Sequence, residues 1–283
     1  MTTGVSEHAP GLWAIHGSLL DLDHQLDETF LSWARQLKAP EYRFPQFLAV
    51  QHLDRLQYFS SFPHLVTFAV TLDRDEEELK RFAKEHEVSA DGSLELPMTP
   101  RVTHVVTPAA CYHAYVEFEG QEFTEPKIIT TRGTCCRRED YYVGLERQWI
   151  FSMREIVCIG TSEEVQTFLA KAQKKVDRFV HELGLNVTWE GATDPFFNPK
   201  NNPKYTFQKL DPVKQELVFD GRLAIASTND HRSYFGDAFQ LTRDGQTLSS
   251  GCIAFGMERW LSAFVHSFGE DPDSWPAFRA SDV

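Results

Sequence analysis

The chain is poor in positive charge, with 28 lysines and arginines against 41 acidic residues and a formal net charge of −13. Phosphate neutralisation is the main source of nucleic-acid affinity, so a chain this acidic is ill suited to wrapping a polyanion. Long apolar runs are missing too: nothing approaches the roughly 20 residues a membrane-spanning helix needs. The opening Met1-Thr2-Thr3-Gly4-Val5-Ser6-Glu7 lacks the basic and apolar blocks of a secretory signal. Together these absences predict a cytoplasmic protein with no membrane partner. Cysteine is scarce and odd in number: Cys111, Cys135, Cys136, Cys158 and Cys252. An odd count without an export signal favours thiols or metal ligands over a disulfide framework. Several familiar signatures are also absent, among them phosphate-cradling glycine loops of the Walker or Rossmann kind, His-Glu-x-x-His, Cys-x-x-Cys and Gly-x-Ser-x-Gly.

What is present is a globular chain of 283 residues, 42% apolar and 13% aromatic, enough for one sizeable core. Residues 1–16 read as a loose tail, and 17–283 as a single domain with a helical, dimer-forming part (17–100) and a β-rich part (101–283). Apolar residues at Leu19, Leu22, Leu26, Phe30, Trp33 and Leu37 recur every three or four positions and predict an amphipathic helix ending near Pro40. A second helix is expected around Gln51–Phe59, and Asp73–Glu87 reads as a solvated helix face. Val88–Pro97 reads as a linker. Val102–Val106, Tyr112–Phe118, Lys127–Cys136 and Trp149–Ile159 have the Val, Ile, Thr, Tyr and Phe content of strands. Thr161-Ser162-Glu163-Glu164 forms a capping box opening a helix with Val165, Phe168, Leu169, Ala172, Val176, Phe179, Val180 and Leu183 on one face and Gly184 as its stop. Further strands are expected at Leu185–Trp189, Gln215–Phe219 and Leu223–Ser227, and a last helix from Gly256 to Ser267. Strands with few helices between them predict an α+β fold, an antiparallel sheet flanked by helices.

Two stretches pair arginine with glutamate. One reads Cys135-Cys136-Arg137-Arg138-Glu139, then Gly144-Leu145-Glu146-Arg147, then Phe151 and Glu155; the other reads Gly256-Met257-Glu258-Arg259. They resemble motifs 2 and 3 of the class II aminoacyl-tRNA synthetases. The likeness is greatest to the amino acid:[carrier protein] ligases, truncated relatives of the zinc-dependent archaeal seryl-tRNA synthetases. Ser60-Ser61-Phe62-Pro63, Pro108-Ala109-Ala110-Cys111, Met153-Arg154-Glu155, Asp194-Pro195-Phe196-Phe197, Lys214-x-Glu216-Leu217 and Ser227-x-Asn229-x-His231 are similar to that branch as well. The resemblance spans roughly residues 50–270. Alone, any one of these arginines reads as a solvated surface charge; the concentration of matches in one hairpin makes the difference.

The resemblance implies a division of labour for ATP. Arg137 would grip the α-phosphate, Glu139 would accept from the adenine amino group, Arg147 would meet the outer phosphates, Phe151 would stack on the base and Arg259 would hold the γ-phosphate. Charge-assisted contacts of this kind contribute about 1.5–3 kcal/mol each. Lys214, Glu216, Ala226, Ser227 and Asn229 would complete the nucleotide pocket, although ordinary strand polarity explains them equally well. Zinc would be held by Cys111, Glu155 and Cys252, leaving Cys135, Cys136 and Cys158 as core thiols. Cofactors implied are Zn²⁺, ATP and Mg²⁺; partners are an amino acid, a carrier protein bearing phosphopantetheine, and a second copy of the chain through a motif 1 region near Ser60–Thr71. Lys171, Lys174, Lys175 and Arg178 on the 165–183 helix read either as a solvated face or as a patch for an acidic carrier. Two departures stand out: Cys252 and Ala254 replace motif 3 glycines, and Cys136 replaces the motif 2 phenylalanine. No segment resembles the coiled-coil arm that grips tRNA, so tRNA charging is not expected. The rival readings are a tRNA-acting enzyme and a non-catalytic regulatory paralogue.

Overall fold

A computed structural model describes residues 4–96, 101–199 and 213–278. The chain opens on a hairpin of β1 (Val5–Ala9) and β2 (Leu12–Ile15), whose Val5 and Ile15 pack against the main core. The expectation of a loose tail over 1–16 is therefore corrected from residue 4 onward; residues 1–3 lie outside the described residues. Helix α1 (Ser18–Gln36) follows the predicted periodicity and buries Leu19, Leu22, Leu26, Phe30 and Trp33. Next come β3 (Glu41–Tyr42), β4 (Phe47–Ala49), α2 (Val50–Arg55) and α3 (Tyr58–Ser61). The single helix expected over Gln51–Phe59 is broken in two at Gln57, whose φ of 51° is left-handed. β5 (Phe68–Ala69) leads to α4 (Glu76–Glu85), a solvated helix with no buried residue, and the stretch 88–96 is exposed as a linker would be; Pro97 lies outside the described residues. β6 (His104–Val106) joins β4 and β5 in a small three-stranded sheet.

Tyr112–Phe118 is not a strand but helix α5 (Tyr112–Glu117). Its aromatic and β-branched residues mimic strand composition, yet packing decides otherwise, with the Tyr115 ring stacked on Phe235 at 3.9 Å. The long strands β7 (Lys127–Cys136) and β8 (Ile150–Gly160) form the predicted hairpin. Helix α6 (Ser162–Leu183) carries the full Thr161/Glu164 capping box and ends on left-handed Gly184. Then come β9 (Val187–Ala192), β10 (Lys214–Phe219), β11 (Leu223–Arg232), α7 (Tyr234–Phe239), β12 (Thr242–Arg243), β13 (Gln246–Thr247), β14 (Ser249–Gly256) and α8 (Met257–Phe268). The strand of motif 3, β14, escapes composition because it is built largely from small residues.

Seven strands form the main sheet in the order β3-β7-β8-β14-β11-β10-β9, antiparallel throughout except for the β3–β7 edge pair. The α+β class expected from the sequence is borne out. Helices α1, α6 and α8 cover one face, where Phe30 stacks on Phe255 at 4.0 Å and meets Trp33, Phe179 and Trp260. Arg154, 2% exposed, ties this layer down, bonding Asp27 of α1 with Nε and Nη2 at 2.8 and 2.9 Å and Glu41 with Nη1 at 2.8 Å. Because α6 lies on this covered face, the sheet and the helix itself separate its basic side from the opposite face. No helix among the described residues is long and apolar enough to cross a membrane.

Candidate active site

The uncovered face of the sheet floors a cleft of about 640 Å³. Strand alternation decides who lines it. Glu216, Ser227, Ala254 and Glu155 lie side by side across β10, β11, β14 and β8, so their side chains share one face. Two residues along, Lys214, Asn229 and Cys252 form the neighbouring row. Ala226 belongs to the other parity: it pairs with Leu217 and Phe255 and packs in the helix-covered core. It can offer the cleft only its main chain.

At one end, Cys111, Glu155 and Cys252 converge although the first and last stand 141 positions apart in the chain. All three are buried, and one donor atom of each lies within 4.8 Å of the others. Cys111 immediately precedes α5, and the segment before it crosses close over β7. Gly133 permits that approach, since a Cβ there would sit 3.0 Å from the Ala110 Cβ. Glu155 accepts from the Ala110 N–H at 3.1 Å through Oε1, while Oε2 is buried with no partner. Burial, with the Cys252 thiol nearby, pushes the Glu155 carboxyl up to about 8. The Cys252 thiol is held well below its ordinary value by a hydrogen bond from Cys111 and by donors from His231 and Asn229; Cys111 is correspondingly raised. Asn229 Nδ2 lies 3.4 Å from Cys252 Sγ and His231 Nε2 lies 3.8 Å from it. Two thiols and an under-satisfied carboxylate form the donor set that Zn²⁺ accepts, and three protein ligands leave a position open. The orphaned Glu155 oxygen is what such an ion would satisfy, so the residues fit the group.

Away from this end the cleft carries arginines and a lysine interleaved with carboxylates. Arg137 donates from Nε to the Pro108 carbonyl at 2.8 Å, and its guanidinium lies 5.4 Å from the Phe151 ring centroid. Arg259, in the first turn of α8, is anchored by Nε to the Glu146 carbonyl at 2.9 Å and by Nη1 to the Ala224 carbonyl at 3.0 Å. Burial and the charge of Arg137 lower its pKa. In the β7–β8 loop Arg147 pairs with Glu139 at 2.7 Å, and Lys214 pairs with Glu216 at 2.9 Å and Asp194 at 3.2 Å. Ser227 Oγ accepts from Asn229 Nδ2 at 3.2 Å. All of the residues assigned from the sequence to ATP or zinc line this one cleft, Ala226 by its main chain; Cys135, Cys136, Cys158 and the basic residues of α6 do not.

Sequence reasoning gave no role to several neighbours of the cysteine end. His231 Nδ1 lies 3.1 Å from the Tyr115 hydroxyl and 3.2 Å from Ser250 Oγ, while Nε2 faces Cys252 Sγ at 3.8 Å. The spacing of Ser227, Asn229 and His231 at every second residue was the available signal. Cys135, Cys136 and Cys158 are buried free thiols.

No family model matches the chain. Amino acid–[acyl-carrier-protein] ligase 1 of Bradyrhizobium diazoefficiens is 32% identical over 244 residues, which cover 83% of this chain and 73% of that protein. Ligase 2 of the same organism is 30% identical over 242 residues, covering 83% and 71%. Among solved structures, the M. kandleri seryl-tRNA synthetase, determined in complex with A. aeolicus tRNASec, superposes with a TM-score of 0.82 at 22% identity. That match takes in 96% of this chain, which spans only 56% of the synthetase. With that identity to both carrier-protein ligases across most of their length, and with the class II aminoacyl-tRNA synthetase fold, the chain belongs to the amino acid–[acyl-carrier-protein] ligase family and is a ligase.

Proposed function

We propose that the protein activates a small amino acid with ATP and passes it to the phosphopantetheine thiol of a carrier protein. The observation that carries this reading is the buried Cys111, Glu155 and Cys252 cluster opening into the same cleft as Arg137 and Arg259. In the first step the amino acid carboxylate attacks the α-phosphorus of ATP, the α–β bond breaks, and pyrophosphate leaves. In the second, the carrier thiol attacks the acyl carbon of the adenylate, the thioester forms and AMP leaves. No protein nucleophile is needed, since positioning and charge neutralisation supply most of the acceleration.

Arg137, restrained by the Pro108 carbonyl and Phe151, would meet the α-phosphate as charge builds on it. Phe151 would stack on adenine, and Glu139 would accept from its amino group with the oxygen not held by Arg147. Arg147 and Arg259 would receive the outer phosphates with Mg²⁺, while Lys214, Glu216, Ser227, Asn229 and the Ala226 main chain would bound the nucleotide. Cys111, Glu155 and Cys252 would hold Zn²⁺, which supplies a Lewis-acid grip on the substrate's free amine and keeps that amine from acting as a nucleophile.

Amino-acid-dependent pyrophosphate exchange, run across the twenty amino acids, tests the reading. It predicts exchange with one or a few small amino acids, lost in Arg137→Ala. Exchange with none would overturn it.

A further inference from the structure

Resting on the nucleotide reading of the cleft, the geometry points to Glu146 as a positioning residue that clamps the two outer-phosphate arginines, Arg147 and Arg259, into one unit. Glu146 lies in a closed turn in which the Val143 and Arg147 main chains bond each other at 2.9 and 3.0 Å, with Gly144 at a φ of 40°. Fixing Glu146 therefore fixes the backbone from which Arg147 projects. The fixing comes from elsewhere in the fold. Arg222, in the β10–β11 turn, reaches both Glu146 carboxylate oxygens at 2.9 and 2.8 Å from Nη1, and Ser262 of α8 donates to Oε1 at 3.0 Å. The Glu146 main-chain carbonyl accepts from Arg259 Nε at 2.9 Å. One residue thus joins the β7–β8 loop, the β10–β11 turn and the first turns of α8.

The two arginines are held differently at their guanidinium ends. Arg147 rests on Glu139, the residue assigned to adenine, and on the Tyr141 ring, while among the described residues Arg259 is held by the Glu146 and Ala224 carbonyls. Their separation is set by the clamp. Glu146 borders the cleft, but its carboxylate is taken up by Arg222 and Ser262 and its carbonyl by Arg259, so its loss would act through Arg147 and Arg259 and fall on ATP.

Pyrophosphate exchange with ATP and amino acid varied separately tests this. Glu146→Ala is expected to raise the KM for ATP about tenfold, the scale of a small misplacement of a binding group, with the KM for amino acid within about twofold of wild type. Arg222→Ala should do the same, and the double variant should be no worse than the poorer single, because both break one clamp. Glu146→Gln, which still accepts from Ser262 and Arg222, should recover most of the ATP affinity. An unchanged KM for ATP in Glu146→Ala overturns the inference, as do effects of Glu146→Ala and Arg222→Ala that multiply. A parallel loss of kcat and of both KM values with a lowered Tm also overturns it, since that is merely structural damage. Wild-type protein without exchange would instead remove the nucleotide reading itself, and the clamp with it.

Discussion

Cys252 stands where motif 3 of the wider synthetase class has glycine, and its surroundings account for the exchange. Its thiol faces Cys111 and Glu155, receives an N–H from Asn229 and lies against His231 Nε2, a setting that favours a thiolate ligand. Purified protein is expected to carry zinc near one equivalent by elemental analysis. Cys252→Ala should retain at least about tenfold less, because two donors hold a divalent ion far more weakly than three. A variant that keeps its full zinc would show that the cluster is not the metal site. Glu258, two residues past the end of β14's pairing with β8, offers a pH test. Burial outweighs the Ser152 N–H it accepts at 2.9 Å and pushes its carboxyl up to about 7. An acid raised above its unfolded value of about 4.3 contributes stability that is full below that value and is lost as pH rises through 7. The stability of wild type relative to Glu258→Gln, measured by urea titration, should therefore fall between pH 5 and pH 8; a difference flat with pH would contradict the shift. At this scale the sequence carried much of the cleft, because Arg137, Glu139, Arg147, Phe151 and Arg259 fall on one hairpin and one helix start. His231 went without a role because a β-strand histidine acquires its meaning only from Tyr115, Ser250 and Cys252, which arrive from other elements.

Among the elements, α1 is fastened more firmly than its apolar stripe requires. Arg154 is almost wholly buried and relies on Asp27, with Glu41 as its second acceptor, and Arg132 pairs with Asp23 at 2.6 Å. Asp27→Ala strands much of a buried guanidinium and should cost about 3 kcal/mol in chemical denaturation, while the double variant Asp27→Leu/Arg154→Met should cost less than the single. Equal losses in the two would mean that packing, not charge, sets the price. Helices α1 and α6 were legible because 3.6-residue periodicity and capping chemistry are local properties. The β1–β2 hairpin was hidden because its turn and weakly apolar strands gain order only by lying against α1 and the core. Strand β14 was missed for a related reason: its small residues suit a crowded sheet centre, as at Gly251, where a Cβ would meet Val165 of α6 at 2.7 Å. Helix α5 went the other way, its strand-like composition overridden by the stack of Tyr115 on Phe235.

For the whole molecule, the division of the sheet into a helix-covered face and an open cleft determines where partners can act. On the proposed function, a phosphopantetheine arm would enter from the cleft side, so the lysines of α6, behind the sheet, are poorly placed to guide it. The net charge of −13 makes electrostatic steering of a polyanion unfavourable. Fold and family were readable from motifs that fix a strand–loop–strand and a strand–helix junction; which amino acid and which carrier were not, because they depend on pocket shape and surfaces that no motif encodes. Transfer of a labelled amino acid, with ATP, to holo-carrier, apo-carrier and bulk tRNA in parallel is the most direct measurement. The account predicts label on holo-carrier alone, released by hydroxylamine as a thioester; label on tRNA with none on holo-carrier would contradict it.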